Sequence, residues 1–181
     1  ACIPAVIVGL KWDDAIEEHF YNYKVVAIML ILIGVLFIIA ENRNKHLKHT
    51  TNSLDELTYK QAFIIGLFQL VAAVFPGTSR PGSTILGALV IGVNRKTAAQ
   101  FTFFMAIPVM FGASLLKLLK YGFDFGGNEL IVLLVGMIVA FVVSLFIIKM
   151  LMNYIKKHDF KVFGYYRIVL GIVVLLYFLF T

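Results

Sequence analysis

Long unbroken apolar runs dominate the chain, separated by short polar and mostly basic stretches. The first full run lies at about 24–41, with VVAIMLILIGVLFIIA at its centre, and others follow at about 97–119, 129–149 and 162–180. About 18 or more apolar residues are the length a helix needs to cross a bilayer. The runs are continuous rather than alternating, which argues against a membrane β-barrel. Residues 1–9 read as the end of a further membrane helix, and 11–23 (KWDDAIEEHFYNY) as an interfacial segment. The stretch 59–93 is different. Two apolar halves, 59–75 and 82–93, are each short for a crossing, and FPGTSRPGST (75–84) interrupts them. The pattern predicts an all-α polytopic membrane protein with about four full transmembrane helices plus one re-entrant helical hairpin at about 59–93. It forms a single membrane domain over 1–181.

Composition strengthens this class. The chain is 61% hydrophobic and 14% charged, against roughly 45–50% and about 25% in soluble domains. The net charge of +6 does not indicate nucleic acid, because the basic residues sit between apolar runs and report topology. With a returning hairpin, loops 42–60, 94–96 and 149–161 share one side. They carry Arg43, Lys45, Lys48, Lys60, Arg95, Lys96, Lys149, Lys156, Lys157 and Lys161, against Lys11, Lys24, Lys117 and Lys120 on the other. That bias places the first side in the cytoplasm. A hairpin that crossed instead would move the lysines of 149–161 outside. The single cysteine, Cys2, forms no intramolecular disulfide. The chain opens ACIPAVIVGL with no initiator Met, as if in mid-helix, and a preceding stretch is expected.

The interruption is where chemistry concentrates. Pro76 and Pro81 remove backbone donors and disfavour helix at Phe75 and Arg80, while Gly77 and Gly82 permit turns. Two half-helices meeting at a non-helical tip leave polar groups that survive in a membrane only inside protein or beside water. Arg80 adds a charge that costs roughly 2.5–3.5 kcal/mol at a membrane centre. A half-helix beginning near Gly82 would aim its positive dipole end at the same place. Thr78, Ser79, Ser83 and Thr84 add hydroxyls. Arginine, hydroxyls and a helix N-terminus together describe an anion site, best matched to phosphate. The simpler reading, a kinked helix with a snorkelling Arg80, leaves the cluster of hydroxyls unexplained. GTSRPGST fits G-x-x-x-x-G, but a phosphate-binding P-loop needs a Lys and a preceding strand, both absent.

FPGTSRPGST resembles the PGxSRSxxT motif of the bacterial undecaprenyl-diphosphate phosphatases, the bacitracin-resistance proteins. Gln69 in GLFQLVAAVFPG is similar to the polar residue before that motif. GVNRKTAAQFTFFMAIPVMFGASLL (92–116) resembles the next family helix, and YYRIVLG (165–171) the last span. Two departures stand out. Pro81 replaces the usual Ser. The family's first motif, E/Q-x-x-x-E in an earlier hairpin, is missing; Asp13/Glu17 and Asp14/Glu18 have its spacing but lie in a polar interfacial stretch. The family consists of two inverted repeats meeting at broken helices, and only the second is complete here.

The resemblance implies hydrolysis of undecaprenyl diphosphate to undecaprenyl phosphate and inorganic phosphate. This recycles the lipid carrier for peptidoglycan synthesis at the outer face of the bacterial plasma membrane, and confers bacitracin resistance. It implies catalytic roles for Arg80 (diphosphate clamp), Ser79 (nucleophile or hydrogen-bond donor) and Thr84 (holding a phosphate oxygen), with Gly77, Thr78, Ser83 and Gln69 at the substrate. It adds a divalent cation, magnesium or calcium, held by glutamates of the missing motif. No metal ligand set is visible: His19, His46, His49 and His158 are scattered over loops and interfaces. Besides the isoprenoid diphosphate and membrane lipids, a homo-oligomer is compatible with the sequence, and nucleic acid is not a partner. Gln69 also fits a helix-bridging role. Arg167, near the start of its span, reads as structural, either snorkelling or paired. Asn94 reads as a helix cap, and Met105 and Phe101, Phe103 and Phe104 as packing. Broken helices aimed at an anion serve a transporter or flippase equally well. A third outcome is an inactive chain that keeps the fold and half of a site.

Overall fold

A computed structural model describes residues 1–5, 8, 16, 18–44, 49–121 and 127–180. Among the described residues, from Tyr23 onward, the helices are in order α1 (Tyr23–Asn44), α2 (Tyr59–Val74), α3 (Arg80–Val90), α4 (Arg95–Tyr121), α5 (Gly127–Lys157) and α6 (Lys161–Phe180). Of these, α1, α4, α5 and α6 are long and apolar enough to cross a membrane, while α2 is a shorter apolar helix. The chain is an all-α, multi-pass membrane protein. The expectations for residues 6, 7 and 9, for 11–15, for Asp13, Asp14 and Glu17 of the two Asp/Glu pairs, and for His46 fall on residues outside the described ones.

The hairpin α2–α3 returns to the end from which it starts. Thr58 and Gln61 open α2 with a reciprocal capping box, which satisfies two amides that an α-helix leaves unpaired. The preceding loop then touches the far end of α3. Thr51 forms a parallel bridge with Val93, Asn94 N–H donates to Thr51 O at 3.0 Å, and Asn94 Nδ2 donates to Asn52 O at 2.8 Å. Asn94 also caps α4, accepting from Thr97 N–H at 2.8 Å, as expected. The same end gathers the last turn of α1 and the first turn of α6. Glu41 there accepts from Arg95 Nε at 2.9 Å and from Phe160 N–H at 3.2 Å. At the opposite end Tyr23 stacks on Phe178, with ring centroids 4.1 Å apart.

Helices α1 and α6 run antiparallel at very short range. A Cβ on Gly34 would stand 2.7 Å from Gly164 O, and one on Gly171 2.8 Å from Ala27 O. In a membrane, where lipid is as apolar as the side chains, such small-residue contacts and the dispersion they allow hold helices together. The inner half-helix α3 sits in the centre. Gly82 to Leu89 are all buried. Ile85, Leu86 and Leu89 pack with Met29, Ile33 and Phe37 of α1 and with Phe160. By contrast, α5 exposes apolar side chains on all faces between Leu130 and Met150.

Helix ends differ from the sequence expectation in physically ordinary ways. The helix α1 continues through Glu41 to Asn44 because Glu41 is paired rather than solvated. The helix α3 begins at Arg80, not near Gly82, and Pro81 lies in its first turn. There the missing N–H has no intrahelical partner to lose.

Candidate anion site at the hairpin tip

The tip is built from four backbone decisions. Phe75, before Pro76, leaves the helix for an extended conformation (φ −106, ψ 111), as a residue preceding proline prefers. Gly77 takes φ +87, and a Cβ there would stand 2.6 Å from Val26 O of α1. Thr78, fully buried, donates its hydroxyl to Phe75 O at 2.7 Å. Ser79 takes φ +64, a conformation that costs a non-glycine residue of order 1–3 kcal/mol and clusters at functional sites. Its Oγ accepts from Gly82 N–H at 3.3 Å.

This geometry changes which groups are free for a ligand. Pro81 has no N–H and Gly82 N–H is taken by Ser79 Oγ. In the first turn of α3 these two positions therefore offer no free N–H, and the Arg80 guanidinium and the Ser79 O–H are side-chain donors at the tip. Both side chains belong to exposed residues. No described carboxylate lies in salt-bridge range of Arg80.

Beneath Arg80 lies a cavity of about 60 Å³ between α2, α3 and α4. It is lined by Gln69, Arg80, Pro81, Thr84, Thr102, Met105, Ala106, Val109 and Met110. The structure thus brings Arg80, Thr84 and Gln69 together. Gln69 is buried, and its Oε1 has no hydrogen-bond partner. Thr84 sits in the second turn of α3. Its Oγ1 reaches Arg80 O and Pro81 O, each at 3.1 Å, and lies 3.0 Å from Thr102 Oγ1. Ser83 is buried with its Oγ unpartnered. Gly77 and Thr78 shape the turn on its α1 side.

Two residues were undervalued in the sequence. Thr102 joins Thr84 in the cavity; the available signal was a hydroxyl on the same helical face as Met105 and Ala106. Arg167 does not merely snorkel. Its Nη2 donates to Gly77 O, linking α6 to the tip. Among the described residues no group of three or more His, Cys, Asp or Glu side chains comes together.

Comparison with known proteins places the chain in a family over most of its length. A family model described as bacitracin resistance protein BacA matches residues 1–173. An undecaprenyl-diphosphatase of Desulfitobacterium hafniense is 62% identical over 98% of this chain and 64% of its own length. Undecaprenyl-diphosphatase 1 of Clostridium acetobutylicum is 60% identical over 99% of this chain and 65% of its own length. An undecaprenyl-diphosphatase of Enterococcus faecalis is 60% identical over 97% and 63% respectively. The chain therefore spans a little under two thirds of the length of these curated relatives. The hairpin with its arginine-bearing tip lies wholly inside the matched region, and on that match the chain belongs to the bacitracin resistance protein BacA family.

Proposed function

We propose that the chain carries the phosphate-clamping part of a membrane hydrolase acting on undecaprenyl diphosphate. Water adds to the terminal phosphorus, the bridging P–O bond breaks, and undecaprenyl phosphate and inorganic phosphate leave. The observation that carries this reading is the tip itself. An arginine with no carboxylate partner among the described residues stands beside a strained serine, over an apolar cavity, in a chain about 60% identical to relatives named undecaprenyl-diphosphatase.

Phosphoryl transfer is catalysed mainly by positioning and charge stabilisation. Arg80 takes the second task, holding the non-bridging oxygens as charge moves onto the leaving phosphate. Ser79 Oγ accepts from Gly82 N–H and keeps its own proton free. That free proton supports Ser79 as a donor to phosphate; a base that made it a nucleophile would lie outside the described residues. The Thr84 hydroxyl is engaged with Thr102 and two carbonyls, which favours a wall role for it. Met105, Val109 and Met110 offer an apolar seat for the first isoprene units, and Gln69 Oε1 offers an acceptor at its floor. We place the ligands of any magnesium or calcium ion outside the described residues.

We place the protein in the bacterial plasma membrane with the Glu41 end cytoplasmic, because the basic loops gather there. Gly77 packs against Val26, one turn from the other end of α1, so the tip faces the outer leaflet. Purified full-length protein in detergent is expected to release inorganic phosphate from undecaprenyl or farnesyl diphosphate, and not from the monophosphate. Uptake or lipid movement without phosphate release would instead favour a transporter.

A further inference from the structure

Arg167 spans the tip from outside the hairpin. Its Nη2 bonds Gly77 O. Its Nη1 lies 3.1 Å from where a Cβ on Gly82 would stand, and Ser79 Cβ and Oγ are each 3.4 Å from that same point. One planar guanidinium therefore touches both the entrance of the turn and the first turn of α3. Its Nε is buried without a partner.

The turn it touches contains the two residues of the tip with positive φ, Gly77 and Ser79. A strained backbone persists only where its surroundings over-determine it. Within the hairpin, Thr78 is tied to Phe75 O and Ser79 to Gly82 N–H. From outside, Val26 of α1 closes one side of Gly77 and Arg167 of α6 holds its carbonyl. The helices that carry Val26 and Arg167 are locked together at Gly34–Gly164 and Ala27–Gly171, so these supports do not move independently.

Resting on the hydrolase reading above, we propose that Arg167 is a positioning residue. It holds Gly77 and Ser79 at positive φ and so fixes the Ser79 hydroxyl and the Arg80 guanidinium relative to each other. A lysine cannot do this, because a single ammonium reaches the Gly77 carbonyl or the Gly82 face but does not bridge both as a planar fork does.

The test uses the full-length protein in detergent, farnesyl diphosphate as probe, and variants Arg167→Lys, Arg167→Gly and Gly77→Ala. Arg167→Lys is expected to lower kcat on the order of 100-fold, as misplacement of reacting groups by an ångström does, with KM nearly unchanged. Gly77→Ala, which strains the same turn from within, should copy that loss. Added guanidinium ion should restore part of the kcat of Arg167→Gly. Wild-type protein that releases no phosphate overturns the hydrolase reading and this inference with it. Wild-type release with an unaltered Arg167→Lys kcat overturns the inference alone. So does a rise in KM at constant kcat, which would make Arg167 a substrate-binding group. Loss of a folded, monodisperse protein in all three variants would make it a purely structural residue.

Discussion

Arg95 Nη2 lies 2.7 Å from Glu41 Oε2, and the Glu41 side chain is fully buried. With the Phe160 amide on the same carboxylate, this one group joins the end of α1 to the starts of α4 and α6. It closes the bundle at the end opposite the tip, where the hairpin also begins and finishes.

Removing one partner of a buried pair leaves an uncompensated charge, which costs about 3–5 kcal/mol. Arg95→Ala is therefore expected to lower stability by about that amount in reversible unfolding from detergent. The double variant Glu41→Leu/Arg95→Leu should recover most of the loss, short of the unpaired Phe160 amide. A single variant with wild-type stability would mean that the pair fastens nothing.

Close packing of α1 on α6 gives a second expectation. In Gly34→Ala the new Cβ meets Gly164 O and Ile168 Cγ1, both at 2.7 Å, and overpacking of this kind costs about 1–3 kcal/mol. Gly136→Ala on α5, where nothing stands within 4 Å, is the matched control. It should be neutral or slightly stabilising, because alanine is the better helix former. Thermal unfolding of the two variants side by side decides the point.

Ser79 combines a cap with a strained φ, and two substitutions separate these. Ser79→Ala keeps the strain and loses the acceptor for Gly82 N–H, a loss of about 1 kcal/mol. Ser79→Gly relieves the strain and should cost only a few tenths. Both remove the hydroxyl, so both should lower phosphate release. If Ser79→Gly were fully active, the hydroxyl would have no part in the reaction.

Orientation is open to cysteine labelling. Asp55 is exposed in the loop before α2. In a Cys2→Ser background, Asp55→Cys should resist a membrane-impermeant thiol reagent in intact cells and react after permeabilisation. Labelling from outside would invert the topology.

Helix number, the broken hairpin and its return were legible because each rests on local signals. Apolar run length, Pro76, Gly77 and Pro81 act within a few residues. The same local signals singled out Gln69, Arg80 and Thr84, which the structure brings to one cavity. What was not legible depends on partners distant along the chain. Glu41 looked like a loop residue until Arg95 and the Phe160 amide reached it. Thr84 looked free to hold phosphate until Thr102 met it. Arg167 read as structural, snorkelling or paired, but its partner was not legible, because nothing near it in sequence shows that Gly77 O lies within its reach. Pro81 misled in the opposite direction: it reads as a breaker, yet in a first turn it is compatible with helix.

Inorganic phosphate release by the full-length Arg80→Ala variant tests most directly the proposed clamping of a lipid diphosphate by Arg80 at the hairpin tip. Losing the arginine that stabilises the transferring phosphoryl group should cut kcat by on the order of 10³-fold or more, with a smaller loss for Thr84→Ala and a folded protein in both cases. Turnover of undecaprenyl or farnesyl diphosphate by Arg80→Ala at close to the wild-type rate would contradict the account.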